Sequence, residues 1–150
     1  MADPIKIIKE DHRAVEKLFK QYEGLGDSAF KAKQKLALEI ADLLSLHAEM
    51  EEQFLYPKLK DEFGDEEDKM VEEAYAEHGV AKELIAEIRE LNPEEGQFDA
   101  KVKVLSENIA HHVKEEENEL LPEAKSELPE AELEQIGEAM EQFRASRQKV

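Results

Sequence analysis

Apolar residues recur at three- and four-residue steps along nearly the whole chain, the period of a helix with one buried face. The first stripe is Ile5, Ile8, His12, Val15, Phe19 and Tyr22. Asp3 is placed to cap this helix, with Pro4 at its first position. Gly24-Leu25-Gly26 ends it, and Asp27 or Ser28 is expected to cap the next. The second stripe runs Leu36, Ile40, Leu43, Leu44, His47, Glu51, Phe54 and Leu55. Pro57 should disturb its end, and Phe63-Gly64 closes the turn. Asp65 to Asp68 suit the positive end of a third helix, whose stripe is Val71, Ala74, Tyr75, His78, Ala81, Ile85 and Ile88. After the Asn92–Gly96 loop comes Phe98, Val102, Leu105, Ile109, His112, Glu116 and Leu120, with Pro122 ending or bending that helix. A shorter helix begins near Ser126 to Pro129 and carries Leu133, Ile136, Met140 and Phe143.

No strand alternation interrupts this pattern, and the loops are short. Consecutive helices should therefore be antiparallel neighbours. The predicted fold is all-α: an up-down-up-down four-helix bundle over residues 1–125, with an additional amphipathic C-terminal helix, 126–150, packed on it. That last helix could instead offer its stripe to a partner or to a second copy.

Polar residues inside the stripes change the picture. His12, His47, His78 and His112 stand one to each long helix, on the apolar face. Glu51 and Glu116 follow His47 and His112 by one turn, on the same face. The two stretches are repeats: each reads His-x-x-x-Glu-Glu-x-x-Leu-x-Pro. An acid–His pair, Asp11-His12 or Glu77-His78, precedes each copy by 35 and 34 residues, counted His to His. Burying two uncompensated carboxylates costs several kcal/mol per ion, and no Lys or Arg lies in the predicted stripes to pair with them. Nitrogen and oxygen ligands converging from four helices describe a metal site. Six of them, with two carboxylates able to bridge, suit two metals; imidazole with carboxylate suits iron, zinc or manganese. A structural zinc site is the plainer alternative, although zinc usually takes four ligands.

Composition narrows the partners. Twenty Lys and Arg face 38 Asp and Glu, a formal charge of −18. That balance argues against nucleic acid and anionic membrane. There is no cysteine, so neither a disulfide framework nor thiol chemistry is available. The N-terminus lacks the regions of a signal peptide, no apolar run is long enough to span a membrane, and a cytoplasmic monomer or dimer is expected.

The order His…His-x-x-x-Glu…His…His-x-x-x-Glu resembles the HHE cation-binding, hemerythrin family over roughly residues 4–122. The resemblance implies a non-haem di-iron centre with His12, His47, Glu51, His78, His112 and Glu116 as ligands. Glu51 and Glu116 would bridge the irons beside an oxo or hydroxo group. One feature departs from the oxygen-carrying members, which place a fifth histidine one turn from the third helix's lone one. Ala74 and Lys82 stand four residues either side of His78. Water, hydroxide or another side chain would complete that iron. Tyr75, three residues before His78, packs in the core or serves as phenolate or hydrogen-bond donor. His111 is a flank residue or a hydrogen-bonding neighbour of the ligands. Tyr22 is too far along its helix to be a ligand, and Tyr56 packs at a helix end. Glu52 and Glu117 turn outward, to solvent or to hydrogen bonds with the ligands. Phe19, Phe54, Leu44 and Ile109 are candidates to line a small-molecule pocket.

The resemblance implies binding of dioxygen or another small diatomic, for storage, carriage or sensing. Two alternatives stand beside it. One is an enzyme that decomposes peroxide or handles nitric oxide, which an under-coordinated iron favours. The other is an iron-responsive regulatory module. A ferritin-like oxidase would need Glu-x-x-His pairs, and here the order and spacing are reversed.

Overall fold

The computed structural model describes residues 2–62 and 64–148, so Phe63 of the expected turn lies outside the described residues. Helix α1 (Pro4–Glu23) begins where the Asp3 side chain accepts from the Ile5 amide, and Pro4 takes a position that needs no amide hydrogen. Helix α2 (Phe30–Met50) has Ala29 at its N-cap and no side-chain cap. The expectation of Asp27 or Ser28 there is corrected. The Asp27 carbonyl instead accepts from Lys33 Nζ at 3.3 Å.

Neither proline ends its helix. A π turn, Glu51–Leu55, joins α2 to α3 (Tyr56–Glu62), and a second, Glu116–Leu120, joins α5 (Gly96–Glu115) to α6 (Leu121–Glu127). In each, the first residue after the turn donates its amide five residues back, Tyr56 to Glu51 and Leu121 to Glu116. Each proline then falls at the second residue of a fresh α segment, where its ring has little to clash with. The chain thus runs on through residue 62 and through Glu127 where an end or bend was expected.

Helix α4 (Asp65–Glu90) and helix α7 (Glu130–Gln148) complete five helical rods. Among the described residues there is no strand. Helix α1 packs beside α2 and α4 beside α5, so the chain is an up-down-up-down bundle. Helix α7 lies along α1 and the first π turn, with Ile136 and Met140 buried among Ile8, Met50 and Leu55. The approach is close. A Cβ on Gly137 would sit 2.7 Å from the Ala2 carbonyl oxygen, so this contact requires glycine.

The core falls into two apolar halves. One holds Val15, Phe19, Ile40, Leu44, Ile85, Leu105 and Ile109; the other holds Ile8, Met50, Leu55, Leu59, Val71, Leu121 and Met140. The four stripe histidines and two glutamates form a polar layer between them, because each interrupts its stripe at the same height. Lys33 is also buried, against the expectation of no core cation. It lies at the far end of the bundle, 3.0 Å from Asp99, to which Tyr22 also donates.

Candidate metal centre

All six predicted residues meet in this layer, and none is more than 6 % exposed. They form two groups whose ligand atoms lie within 4.8 Å of one another: His12, His47 and Glu116, and Glu51, His78 and His112. Each glutamate reaches both groups. Glu51 Oε1 is 3.1 Å from His47 Nε2 and 3.2 Å from His78 Nε2. Glu116 Oε1 is 3.0 Å from His12 Nε2, and its Oε2 is 3.4 Å from His112 Nε2. The carboxylates therefore stand where a bridge between two cations would be.

The outer nitrogen of every ring is held by a carboxylate. His47 Nδ1 donates to Asp11 at 2.8 Å and His112 Nδ1 to Glu77 at 2.6 Å. His12 Nδ1 donates to Glu117 at 2.6 Å and His78 Nδ1 to Glu52 at 2.7 Å. An ionised carboxylate can only accept, so Nδ1 must carry the hydrogen. Hydrogen bonds keep the three glutamates ionised. Burial opposes the Lys82 and His78 contacts of Glu52 and the His12 and Arg13 contacts of Glu117, yet both stay below the usual range. The His112 hydrogen bond leads the lowering of Glu77. The support crosses between halves: Glu52 follows the first bridging residue but holds the third helix's histidine, and Glu117 does the reverse. Glu52 and Glu117 are half-buried hydrogen-bond partners, the second of the two roles expected for them.

A neutral imidazole with hydrogen on Nδ1 points a lone pair inward from Nε2. That lone pair faces a carboxylate oxygen. Accordingly Nε2 of His12, His47 and His112, both oxygens of Glu51 and Oε1 of Glu116 are buried without any hydrogen-bond partner. Acceptor meets acceptor, and only a cation or a proton resolves the contact. The donor set therefore fits metal ions of the imidazole and carboxylate class.

Without metal, protons take that place. Burial pulls the His47 ring toward neutrality, but the Glu51 charge and the Asp11 hydrogen bond overcome it and push it up to about 10. Burial likewise opposes, and Glu116 and Glu77 reverse, a shift of His112 up to about 11. Both folded values exceed the unfolded value of about 6.5. The stabilisation they provide to metal-stripped protein is thus complete below that value and is lost as pH rises through 10 to 11. At pH 7 both rings are charged, so metal loading should release about two protons per chain. A weakly buffered titration with a pH indicator measures this, and release of less than one proton would contradict the assigned ring charges.

Tyr56, expected only to pack at a helix end, belongs to the site. It is fully buried and donates to Glu116 Oε2 at 2.7 Å, with its oxygen 3.4 Å from His78 Nε2. Burial first, then the Glu116 and Glu51 charges, push its phenol well above the usual range, so it keeps its proton. The extra residue of the π turn carries it there, since residue 56 rather than 55 takes the next place along the ligand face. In the second repeat Leu121 holds the matching position. That Tyr/Leu difference was the one signal in the sequence. Tyr75 packs edge-on against Tyr56, ring centroids 5.2 Å apart, outside both ligand groups. His111 is largely exposed and lies 2.9 Å from Glu115, also outside the buried groups.

A cavity of about 30 Å³ abuts the histidine rings. Val15, Leu44, Ala81, Ile85, Ile109 and Val113 line it. Of the four residues expected to line a pocket, Leu44 and Ile109 line this one. Phe19 and Phe54 lie at other clefts, away from the histidines, and Phe54 packs on Phe143.

Fold and site together define an all-helical protein with a buried histidine–carboxylate cluster that could hold metal ions. The chain belongs to the hemerythrin HHE cation-binding domain family, whose model matches residues 3–124. It is 28 % identical over 144 residues to a protein of Nostoc sp. described as a DNA nickase, covering 96 % of this chain and 39 % of that one. It is 26 % identical over 127 residues to an uncharacterized hemerythrin-like protein of Schizosaccharomyces pombe, covering 83 % of this chain and 61 % of that one. The chain thus spans between about two fifths and three fifths of these relatives' lengths. A hemerythrin HHE cation-binding domain-containing protein of Mycobacterium kansasii shares the fold, with a TM-score of 0.79, 23 % identity, and coverage of 97 % and 90 % of the two chains. Among the described residues, no helix is long and apolar enough to cross a membrane.

Proposed function

We propose that the centre holds two non-haem iron ions and binds dioxygen or a related small diatomic. His12 and His47 would hold one ion, His78 and His112 the other, with Glu51 and Glu116 shared. The observation that carries the reading is the cavity against the four imidazoles. It is walled by aliphatic side chains, and its volume of about 30 Å³ matches one or two water-sized occupants. Such a space admits a neutral diatomic and refuses larger or charged molecules. Bound iron would supply the electrons for oxygen binding; the protein supplies ligands, apolar walls and exclusion of water. The test is metal analysis with an anaerobic-to-aerobic optical titration of the purified protein. Two irons per chain and a reversible oxygen-dependent band support the reading, and zinc or no metal overturns it.

Peroxide chemistry is the second reading, and Tyr56 favours it. Its protonated hydroxyl at the centre is a buried proton donor, which oxygen storage does not require. Tyr56→Phe should slow peroxide decomposition about a hundredfold or more, the scale of a positioned proton donor, with iron content kept. Equal rates in the two proteins would remove this reading. Nickase activity like that described for the Nostoc relative is not proposed for this chain, because a formal charge of −18 opposes binding to a phosphate backbone.

A further inference from the structure

Two of the three tyrosines make an aromatic path from the centre toward the surface. The His78 and Tyr56 ring centroids lie 5.4 Å apart, and Tyr75 meets Tyr56 edge-on at 5.2 Å. The path starts at the ligands, since His78 belongs to one ligand group and Tyr56 donates to Glu116. Tyr56 is fully buried; Tyr75 is only partly so, with the Lys60 ammonium 5.9 Å from its ring centroid. The chain has no tryptophan and no cysteine. Its third tyrosine, Tyr22, is bonded to Asp99 at the far end of the bundle. Side chains that readily give up one electron thus stand in a row between centre and solvent.

The internal repeat supplies a comparison. Nine residues after the His of each His-x-x-x-Glu stands Tyr56 in one copy and Leu121 in the other. Leu121 is as deeply buried as Tyr56, so packing at that place does not require a phenol. Three residues before each lone His stand Tyr75 and Lys9, and Lys9 is exposed. Both tyrosines therefore depart from the repeat in the same half, and they touch.

We propose that Tyr56 and Tyr75 are an electron relay, through which the protein oxidises small phenols at its surface while peroxide is reduced at the centre. The inference rests on the peroxide reading above and adds a second substrate to it. Cleaving the O–O bond of hydrogen peroxide to two waters takes two electrons and two protons. Each electron passes from Tyr75 through Tyr56. The Tyr56 proton shifts along its hydrogen bond to Glu116 and returns when Tyr75 replaces the electron. Tyr75 releases its own proton to water, and a phenol in solution restores both electron and proton. The protons used at the centre are those released to water. In sum, one peroxide and two phenols give two waters and two phenoxyl radicals, which couple in solution.

The test uses the full chain loaded with iron, hydrogen peroxide, and guaiacol as the phenol. A parallel sample without guaiacol contains a nitroso spin trap, and trapped residues are located by peptide mass spectrometry. Wild type should oxidise guaiacol and carry the trap on Tyr75. In Tyr75→Phe, guaiacol oxidised per peroxide consumed should fall at least about tenfold, because a phenyl ring is much harder to oxidise than a phenol and 1.4 kcal/mol of added barrier already gives that factor. Tyr56→Phe should lose the Tyr75 adduct per peroxide consumed. Tyr22→Phe should match wild type in both readouts. An unchanged guaiacol ratio in Tyr75→Phe, or a Tyr75 adduct that persists in Tyr56→Phe, overturns the relay and leaves the peroxide reading standing. Loaded wild type that consumes no peroxide overturns both.

Discussion

Glu116→Ala is expected to reduce the metal content from the two ions per chain proposed above to one or none, and to lower the melting temperature of the loaded protein by roughly 8–16 °C. Both effects have one origin. Glu116 faces His12 through Oε1 and His112 through Oε2, and it accepts the Tyr56 hydroxyl. Its removal takes a shared ligand from both halves of the centre. A site saturated at about a thousand times its dissociation constant contributes about 4 kcal/mol to stability. At this chain length 1 kcal/mol corresponds to roughly 2–4 °C, which gives the range above. The stranded Tyr56 hydroxyl adds about 1–3 kcal/mol of unsatisfied burial. Elemental analysis and calorimetry on the same samples check the expectation. His111→Ala is the matched control, since that ring is largely exposed and should leave both ions in place. Unchanged metal in Glu116→Ala would sink the bridging assignment.

Arg144→Ala should destabilise the protein by about 2–3 kcal/mol, although Arg144 lies in the last helix and touches no ligand. Its guanidinium donates to both oxygens of Asp11 at 2.6 Å. Asp11 is 5 % exposed and in turn holds His47. Breaking a buried ion pair from one side costs about 3–5 kcal/mol; partial exposure of Arg144 reduces that toward the lower figure. The loosened His47 ring should weaken metal affinity about 10- to 100-fold, the usual effect of removing a ligand's hydrogen-bonded support. Denaturant unfolding and metal competition give the two numbers separately. In an Asp11→Asn background the Arg144 effect should largely vanish. A loss below about 0.5 kcal/mol in the wild-type background, the level of an ordinary surface change, would mean that α7 only covers the bundle.

Two of the other three supporting carboxylates also have cations beside them: Lys82 on Glu52 and Arg13 on Glu117. Arg144 differs because it comes from outside the bundle. The C-terminal helix is thereby tied to the polar layer as well as to the apolar core, and loss of its last turns should be felt at His47.

The helices, their buried faces and the six inward residues were legible in the sequence alone. A stripe of period 3.6 records which face of a helix is buried, and a His or Glu within it must face the core. The doubled His-x-x-x-Glu spacing needed only one turn of helix to become two ligands side by side. What tertiary structure decided lies across long separations or in a change of helical phase. The partners of His78 and His12 come from Glu52 and Glu117, 26 and 105 residues away, and that of Asp11 from Arg144, 133 residues away. No local period encodes which neighbour a charged side chain will meet. Tyr56 was misplaced for a different reason. The π turns add one residue between ligand and proline, and that shift rotates everything after Glu51 by about one residue's turn, roughly 100°. A pattern read at constant period puts Tyr56 at the helix end; the backbone, obliged to seat Pro57 without a clash, puts it against Glu116.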